Sequence, residues 1–315
     1  MIHAYAQHGH LHEAKQIFDT SPHHDAVSWN SMLGAYTKNG HFHEALLLFQ
    51  KIPTKDVVSW NLMIVTYSQT GDFASAIRFF RAMDLDGVHP DNVTFLAVIE
   101  ACGSQADLLL GRAIHSEVSH PDILLVNALI GMYSKCSSLE AAREIFVSWP
   151  CKDVVLWTSL VSSYAENGRG QESLHLFQSM QLDGINPDQV TFIAILSKCA
   201  QAGLLHAAHT FFSCIPNHGL VPALDHYVCL ADALGRSGWI EQASELLDLM
   251  PYEPDAAAWT SLLSACNVHH HTTSSIGGAA ALRALSLHPS DGTPYLLLSN
   301  LRSQTVISAV QSHSS

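Results

Sequence analysis

Charge is scarce in this 315-residue chain. Asp, Glu, Lys and Arg make up 14% of it, well under the roughly 25% of an average globular protein. Basic residues are scarcer still, with 15 Lys and Arg against 28 Asp and Glu and a formal charge of −13. That balance argues against a non-specific polyanion binder, which carries a basic surface. The 21 histidines change this little, since most are neutral at pH 7. Long apolar runs are missing too. The richest window, residues 123–132, contains Asn127 and falls short of the roughly 18 residues of a membrane helix. There is no CxxC pair, and seven cysteines cannot pair completely, which argues against a secreted disulfide framework and for reduced thiols inside a cell. The first residues, MIHAY, have neither the basic-then-apolar order of a signal peptide nor an Arg- and Ser-rich presequence. No P-loop, GxSxG or dinucleotide fingerprint occurs. What remains is 48% apolar residues, enough to build a core and to argue against global disorder.

A repeat fills the chain. YAQHGHLHEAKQIF from Tyr5 returns as YTKNGHFHEALLLF from Tyr36 and YSQTGDFASAIRFF from Tyr67. The frame continues from Cys102, Tyr133, Tyr164, Cys199 and Leu234, with a weaker copy near Cys266. Successive anchors lie 31, 31, 35, 31, 31, 35, 35 and 32 residues apart. Each unit reads as two helices. Trp60, Met63, Ile64 and Tyr67 trace one helical face, Thr70-Gly71-Asp72 breaks it, and Phe73, Ala76, Ile77, Phe80 and Met83 trace a second. Two short helices cannot bury an apolar face alone, so stacked pairs and an all-α solenoid are expected. The tetratricopeptide pattern, with 34 residues and W-x2-L-G-x2-Y, does not fit.

VSWNSMLGAY (27–36), VSWNLMIVTY (58–67), VTFLAVIEAC (93–102), LDHYVCLADALGRSG (224–238) and AAWTSLLSAC (257–266), in a cycle of 31- and 35-residue units, resemble the plant pentatricopeptide repeat family. The likeness is to the subgroup mixing short, standard and long repeats, and it covers nearly the whole chain. It implies a right-handed α-α superhelix. Residues 1–255 would form the array, 256–302 degenerate extension-like repeats, and 303–315 a frayed tail. Met1 aligns with the seventh residue of a repeat, so further repeats are expected upstream.

The resemblance also implies a function: one RNA base per repeat, in the code known for such helical repeats. The fifth and last residues of a repeat select the base, and a branched apolar residue at the second position packs on its face. Carried over, the pairs are Asn30 with Asp56, Asn61 with Asp91, Asn127 with Asp153 and Thr158 with Asp188. Asn with Asp implies uracil, and Thr with Asp implies guanine. The packing residues are Val27, Val58, Leu124 and Val155. The long repeats place Leu96 and Ile193 at the fifth position, where an apolar side chain cannot bond a base edge, so neither is assigned a base. The readout is U-U-any-U-G. At about 1–3 kcal/mol of discrimination per contact, four bases recur roughly once per 256 positions, too often to address one transcript.

Plainer readings compete. Asn and Asp near helix starts are commonly caps. Asp ends six consecutive units, at Asp25, Asp56, Asp91, Asp122, Asp153 and Asp188, which capping explains. Capping does not explain Asn three times at one place inside apolar segments. The aromatic series Trp29, Trp60, Phe95, Trp157, Phe192 and Trp259 reads as packing between repeats. Lys38 and Lys135, like Arg236, sit where a first helix ends, suited to the helix dipole or to a weak phosphate contact. Glu13, Glu44, Glu144 and Glu245 fall on second helices, away from the expected groove.

Catalysis finds little support. His115-Ser116-Glu117 matches half of a zinc deaminase signature, but after Pro150-Cys151 the second cysteine position holds Val154. His8, His10 and His12 alternate and His269–His271 run together, without partners at ligand spacing. No cofactor or metal is expected. The resemblance implies single-stranded RNA in a mitochondrion or chloroplast, C-to-U editing or other transcript processing, and a deaminase or accessory factor supplied in trans. A protein-binding scaffold, or a decayed copy that binds no RNA, is the alternative. HHHTTSSIGG (269–278) departs from the family's usual turn and helix start.

Overall fold

The computed structural model describes residues 2–8, 10–269 and 274–301. His270 and His271 of the histidine run, and the expected tail at 303–315, lie outside the described residues. Two compact units, 1–148 and 149–315, are taken in turn.

The first unit holds α1 (Ile2–Gln7), α2 (Leu11–Thr20), α3 (Ala26–Lys38), α4 (Phe42–Lys51), α5 (Val57–Gln69), α6 (Phe73–Leu85), α7 (Asn92–Gln105), α8 (Leu108–Glu117), α9 (Ile123–Lys135) and α10 (Leu139–Ser148). First helices stack on first helices, in the order α1, α3, α5, α7, α9, and each second helix packs on its own partner. The second unit holds α11 (Val154–Glu166), α12 (Gly170–Leu182), α13 (Gln189–Gln201), α14 (Leu205–Cys214) and a 3₁₀ turn at Ile215–His218. It continues with α15 (Leu224–Arg236), α16 (Ile240–Leu249), α17 (Ala256–Val268), α18 (Ser274–Leu287) and a last helical stretch at 293–301. There α11, α13, α15 and α17 stack in the same way. Within each unit the fold is the expected all-α solenoid. Among the described residues no strand occurs, and no helix is long and apolar enough to cross a membrane.

Aromatic rings lock neighbouring repeats. Phe18 at the end of α2 meets Trp29 of α3 edge-on at 5.0 Å, and Phe49 of α4 meets Trp60 of α5 at 4.9 Å. Phe80 repeats the contact with Phe95 at 6.3 Å, and Phe177 with Phe192 at 5.5 Å. Trp60, Trp157, Phe192 and Trp259 are buried, as interrepeat packing requires. Such pairs add about 0.5–1.5 kcal/mol each to plain area burial.

Every helix that opens a unit after Asp is capped by it. Asp25, Asp56, Asp91, Asp122, Asp153, Asp188 and Asp255 each accept the backbone N–H three residues on, worth about 1 kcal/mol each. At α15 the cap residue is Ala223, which offers no carboxylate, and a different contact is made by His226. Fully buried, it accepts the Ala223 N–H at Nδ1 (2.9 Å) and donates from Nε2 to the Gln189 carbonyl (3.2 Å). Hairpin turns need a left-handed residue. Gly40 and Gly71 supply it at φ 77° and 81°, whereas Ala106 (53°) and Ser137 (56°) occupy the same place without glycine, against roughly 1–2 kcal/mol of steric cost.

Two glycines inside first helices predict opposite effects. A Cβ on Gly131 meets nothing within 4 Å, while one on Gly235 would lie 2.8 Å from Ala265 Cβ on α17. Gly131→Ala is expected to stabilise by about 0.5–1 kcal/mol through helix propensity. Gly235→Ala is expected to be net destabilising, because overpacking costs about 1–3 kcal/mol. Urea unfolding of the two variants measures both signs.

Candidate nucleic-acid interface

The fifth residues of the units lie on first helices, one turn in from the cap. Asn30 does not cap its own helix. Its amide Nδ2 donates to both oxygens of Asp56 at 3.0 and 2.9 Å. Asn61, buried, donates to Asp91 Oδ1 at 2.9 Å, and its own Oδ1 accepts the Thr94 hydroxyl at 2.5 Å. Each carboxylate therefore does two jobs, capping the helix it precedes and orienting the amide of the unit before. Asp91 shows the electrostatic result. Burial pushes its pKa up, but hydrogen bonds from the Thr94 N–H and the Asn61 amide outweigh that and hold it below the ordinary carboxylate value.

The other pairs differ. Asn127 lies on α9 of the first unit with its Oδ1 buried and unbonded, and Asp153 caps α11 of the second. Thr158 does not touch Asp188 directly. Its Oγ1 lies 3.0 Å from the Thr191 hydroxyl, which donates to Asp188 Oδ1 at 2.8 Å. Sequence spacing gives no sign of this relay, because Thr191 belongs to the next repeat. The third unit holds another feature that sequence reasoning passed over. Beside the apolar Leu96, Asn92 at the first position donates to Asp122 Oδ2 at 3.0 Å. The amide has moved one helical turn and still meets the terminal carboxylate.

The second-position residues stand out of the surface, with Val27 71% exposed, Val58 49%, Leu124 62% and Val155 55%. Apolar side chains this exposed at one recurring place are not core residues. In the second unit Val155 borders a slot. A cleft of about 270 Å³ opens between α11 and α13, lined by Val155, Val190, Thr158, Thr191, Asp188 and Ser162 among others.

First helices carry little charge: Glu100 and Asp232 lie in the interior of α7 and α15, and Lys38 and Lys135 are exposed at the ends of α3 and α9. Glu166 at the equivalent place pairs with Lys198 at 2.8 Å. Glu13, Glu44, Glu144 and Glu245 are exposed on second helices, as expected, so much of the negative charge lies off the first helices.

Among the described residues no cluster of three or more His, Cys, Asp or Glu is placed to hold a metal. His115 bonds the Tyr133 hydroxyl at 2.9 Å, and burial lowers its pKa. Burial pushes the thiols of Cys102 and Cys199 up to about 12, so neither supplies a thiolate near neutrality.

The depressed Asp91 pKa predicts an acid response. Its contribution is complete above the ordinary carboxylate value of 3.8 and is lost as pH falls through the lower folded value. Urea unfolding should show stability dropping toward pH 3, and Asp91→Asn should lose less over the same interval.

The chain is similar in sequence and in fold to known proteins. A model of the PPR repeat family matches residues 55–104 and 152–222, and a model of the PPR repeat matches 1–20, 27–57, 125–154 and 225–253. Pentatricopeptide repeat-containing protein At2g13600 of Arabidopsis thaliana is 42% identical over 138 residues, 44% of this chain and 20% of that protein. The Arabidopsis protein At1g08070, named chloroplastic, is 37% identical over 138 residues, 44% of this chain and 18% of the relative. The crystal structure of PPR10 from maize superposes with a TM-score of 0.62 at 17% identity, over 98% of this chain and 46% of that one. PPR10 in complex with an 18-nt psaJ RNA element gives 0.67 at 18% identity, over 92% and 45%. This chain thus spans less than half the length of these proteins. Matches to the family's models across most of the sequence, on a fold of stacked helical hairpins, make this chain a member of the pentatricopeptide repeat family.

Proposed function

We propose that the chain binds single-stranded RNA along the first helices of its repeats and addresses organellar RNA modification, such as C-to-U editing, with catalysis supplied in trans. The observation that carries this reading is the recurring hydrogen bond from a fifth-position amide to the next terminal carboxylate, beside an exposed valine. An isolated helix needs no such amide, and a core would not expose the valine. The maize relative bound to RNA and the relative named chloroplastic lend support to the RNA partner and the compartment. The subgroup and the extension-like character of residues 256–302 belong to the same proposal.

Hydrogen-bond chemistry supports the base assignments. An Asn amide offers an N–H and a carbonyl side by side, complementary to uracil's ring N–H flanked by two carbonyls. The Thr158 slot offers something else. The single Thr191 proton goes to Asp188, so Thr158 must donate its own proton to Thr191, leaving only lone pairs on Thr158 Oγ1. Asp188 Oδ1 is taken by the Thr191 N–H and hydroxyl, which leaves Oδ2 as an acceptor. Two acceptors match guanine, whose edge carries two adjacent donors. Val27, Val58, Leu124 and Val155 would flank the bases, with Lys38 and Lys135 as weak phosphate contacts. Asn127 and Asp153 keep their sequence-derived role as a uracil pair.

Fluorescence anisotropy with a U-U-N-U-G oligonucleotide tests this. Asn30→Ala and Asn61→Ala are each expected to weaken binding by about 1–3 kcal/mol and to relax the preference at one nucleotide, and Thr158→Asn should shift the last preference from guanine to uracil. Equal affinity for scrambled RNA would end the base-reading claim, and binding to neither RNA would point instead to a protein-binding scaffold.

A further inference from the structure

Ser162 lies one helical turn beyond Thr158 on α11, about 6 Å along the axis, and lines the same cleft. Its side chain is 9% exposed, and its Oγ is buried without a hydrogen-bond partner. That is unusual for this chain. Helical hydroxyls here routinely bond back to the carbonyl four residues earlier, as Thr66 does to Leu62, Ser179 to His175 and Thr210 to His206. Ser162 makes no such bond. A buried hydroxyl left unbonded costs about 1–3 kcal/mol, and orphans of this kind call for a partner.

The repeat frame sharpens the point. The residue equivalent to Ser162 is Gly34, Val65 or Gly131 in the three repeats whose fifth residue is Asn. None of these carries a polar side-chain atom. The repeat with Thr at the fifth position carries a hydroxyl there instead. Thr158 and Asp188 together present acceptors, which serve the two N–H groups of a guanine edge and leave its carbonyl oxygen unanswered.

We infer that Ser162 is a further base-contacting residue of this slot, its hydroxyl donating to the O6 carbonyl of a bound guanine. The inference rests on the RNA-binding reading above and deepens it. Three side chains then complement three edge atoms: Asp188 and Thr158 accept, and Ser162 donates. Uracil fits this order poorly, since its single ring donor lies between two acceptors.

The test is anisotropy on the whole chain with U-U-A-U-G RNA, the same RNA ending in uridine, and the same RNA ending in 6-thioguanosine. The last keeps both N–H groups of guanine and replaces only the oxygen, with a poorly accepting sulfur. Ser162→Ala should bind the guanosine RNA roughly three- to tenfold more weakly, the range of one net hydrogen bond, with uridine-ended binding unchanged. The sulfur exchange should weaken wild-type binding similarly and leave the variant indifferent, a coupling that a purely structural role would not produce. Ser162→Thr keeps the hydroxyl and should keep the guanine preference, and thermal melting checks that both variants fold. If wild-type protein favours guanine over uracil and Ser162→Ala does so equally, the inference is wrong while base reading stands. If wild-type protein shows no preference between guanine and uracil, base reading fails and the inference with it.

Discussion

The terminal carboxylate of each repeat is the joint on which the architecture turns. Asp56 and Asp91 each satisfy an orphan N–H at the start of one helix and hold the amide of the preceding repeat. A helix start and the spacing of two repeats are thereby set by the same side chain. The aromatic contacts, Phe18 on Trp29 and Phe49 on Trp60, supply burial between repeats but little direction. The carboxylate supplies direction, because its lone pairs must meet two donors from two different repeats. The Ala223 junction shows the requirement by exception. There a buried His226 reaches the cap N–H and a carbonyl of the preceding repeat, so the dual connection persists with different chemistry.

Much of this was legible in the sequence. The repeat frame gave the helical hairpins, the turn residues and the aromatic lock, since all depend on neighbours in a periodic chain. The Asp caps were legible too, and so was the oddity of Asn30 and Asn61 within apolar helices. What escaped depends on atoms about 30 residues apart. Thr191 stands between Thr158 and Asp188, and nothing in the spacing of either repeat announces it. Asn92 takes up the carboxylate that Leu96 cannot, from one turn away. Ser162 looks like an ordinary helical serine until its missing back-bond is seen. Periodicity assigns a residue to a face, but only coordinates tell whether its hydrogen-bonding capacity is already used.

Net charge is a poor guide to the surface of a layered repeat. The chain carries −13 overall, yet exposed glutamates such as Glu44 and Glu144 belong to second helices. First helices carry little charge, and the carboxylates that cap them are engaged by backbone and amide donors. Hydrogen bonds spread the charge of such a group over several donors, so it behaves more as a fixed acceptor than as a free anion.

The double duty of the terminal aspartate has an evolutionary corollary. If the repeats read bases as proposed, a mutation altering which nucleotide a repeat prefers cannot draw on all twenty amino acids at this place. Only Asp, Asn, Ser and Thr, with Gly behind them, start helices well. The recognition alphabet there is thus confined by folding to a few short polar letters, and larger changes of target must come from the fifth residue, which starts no helix.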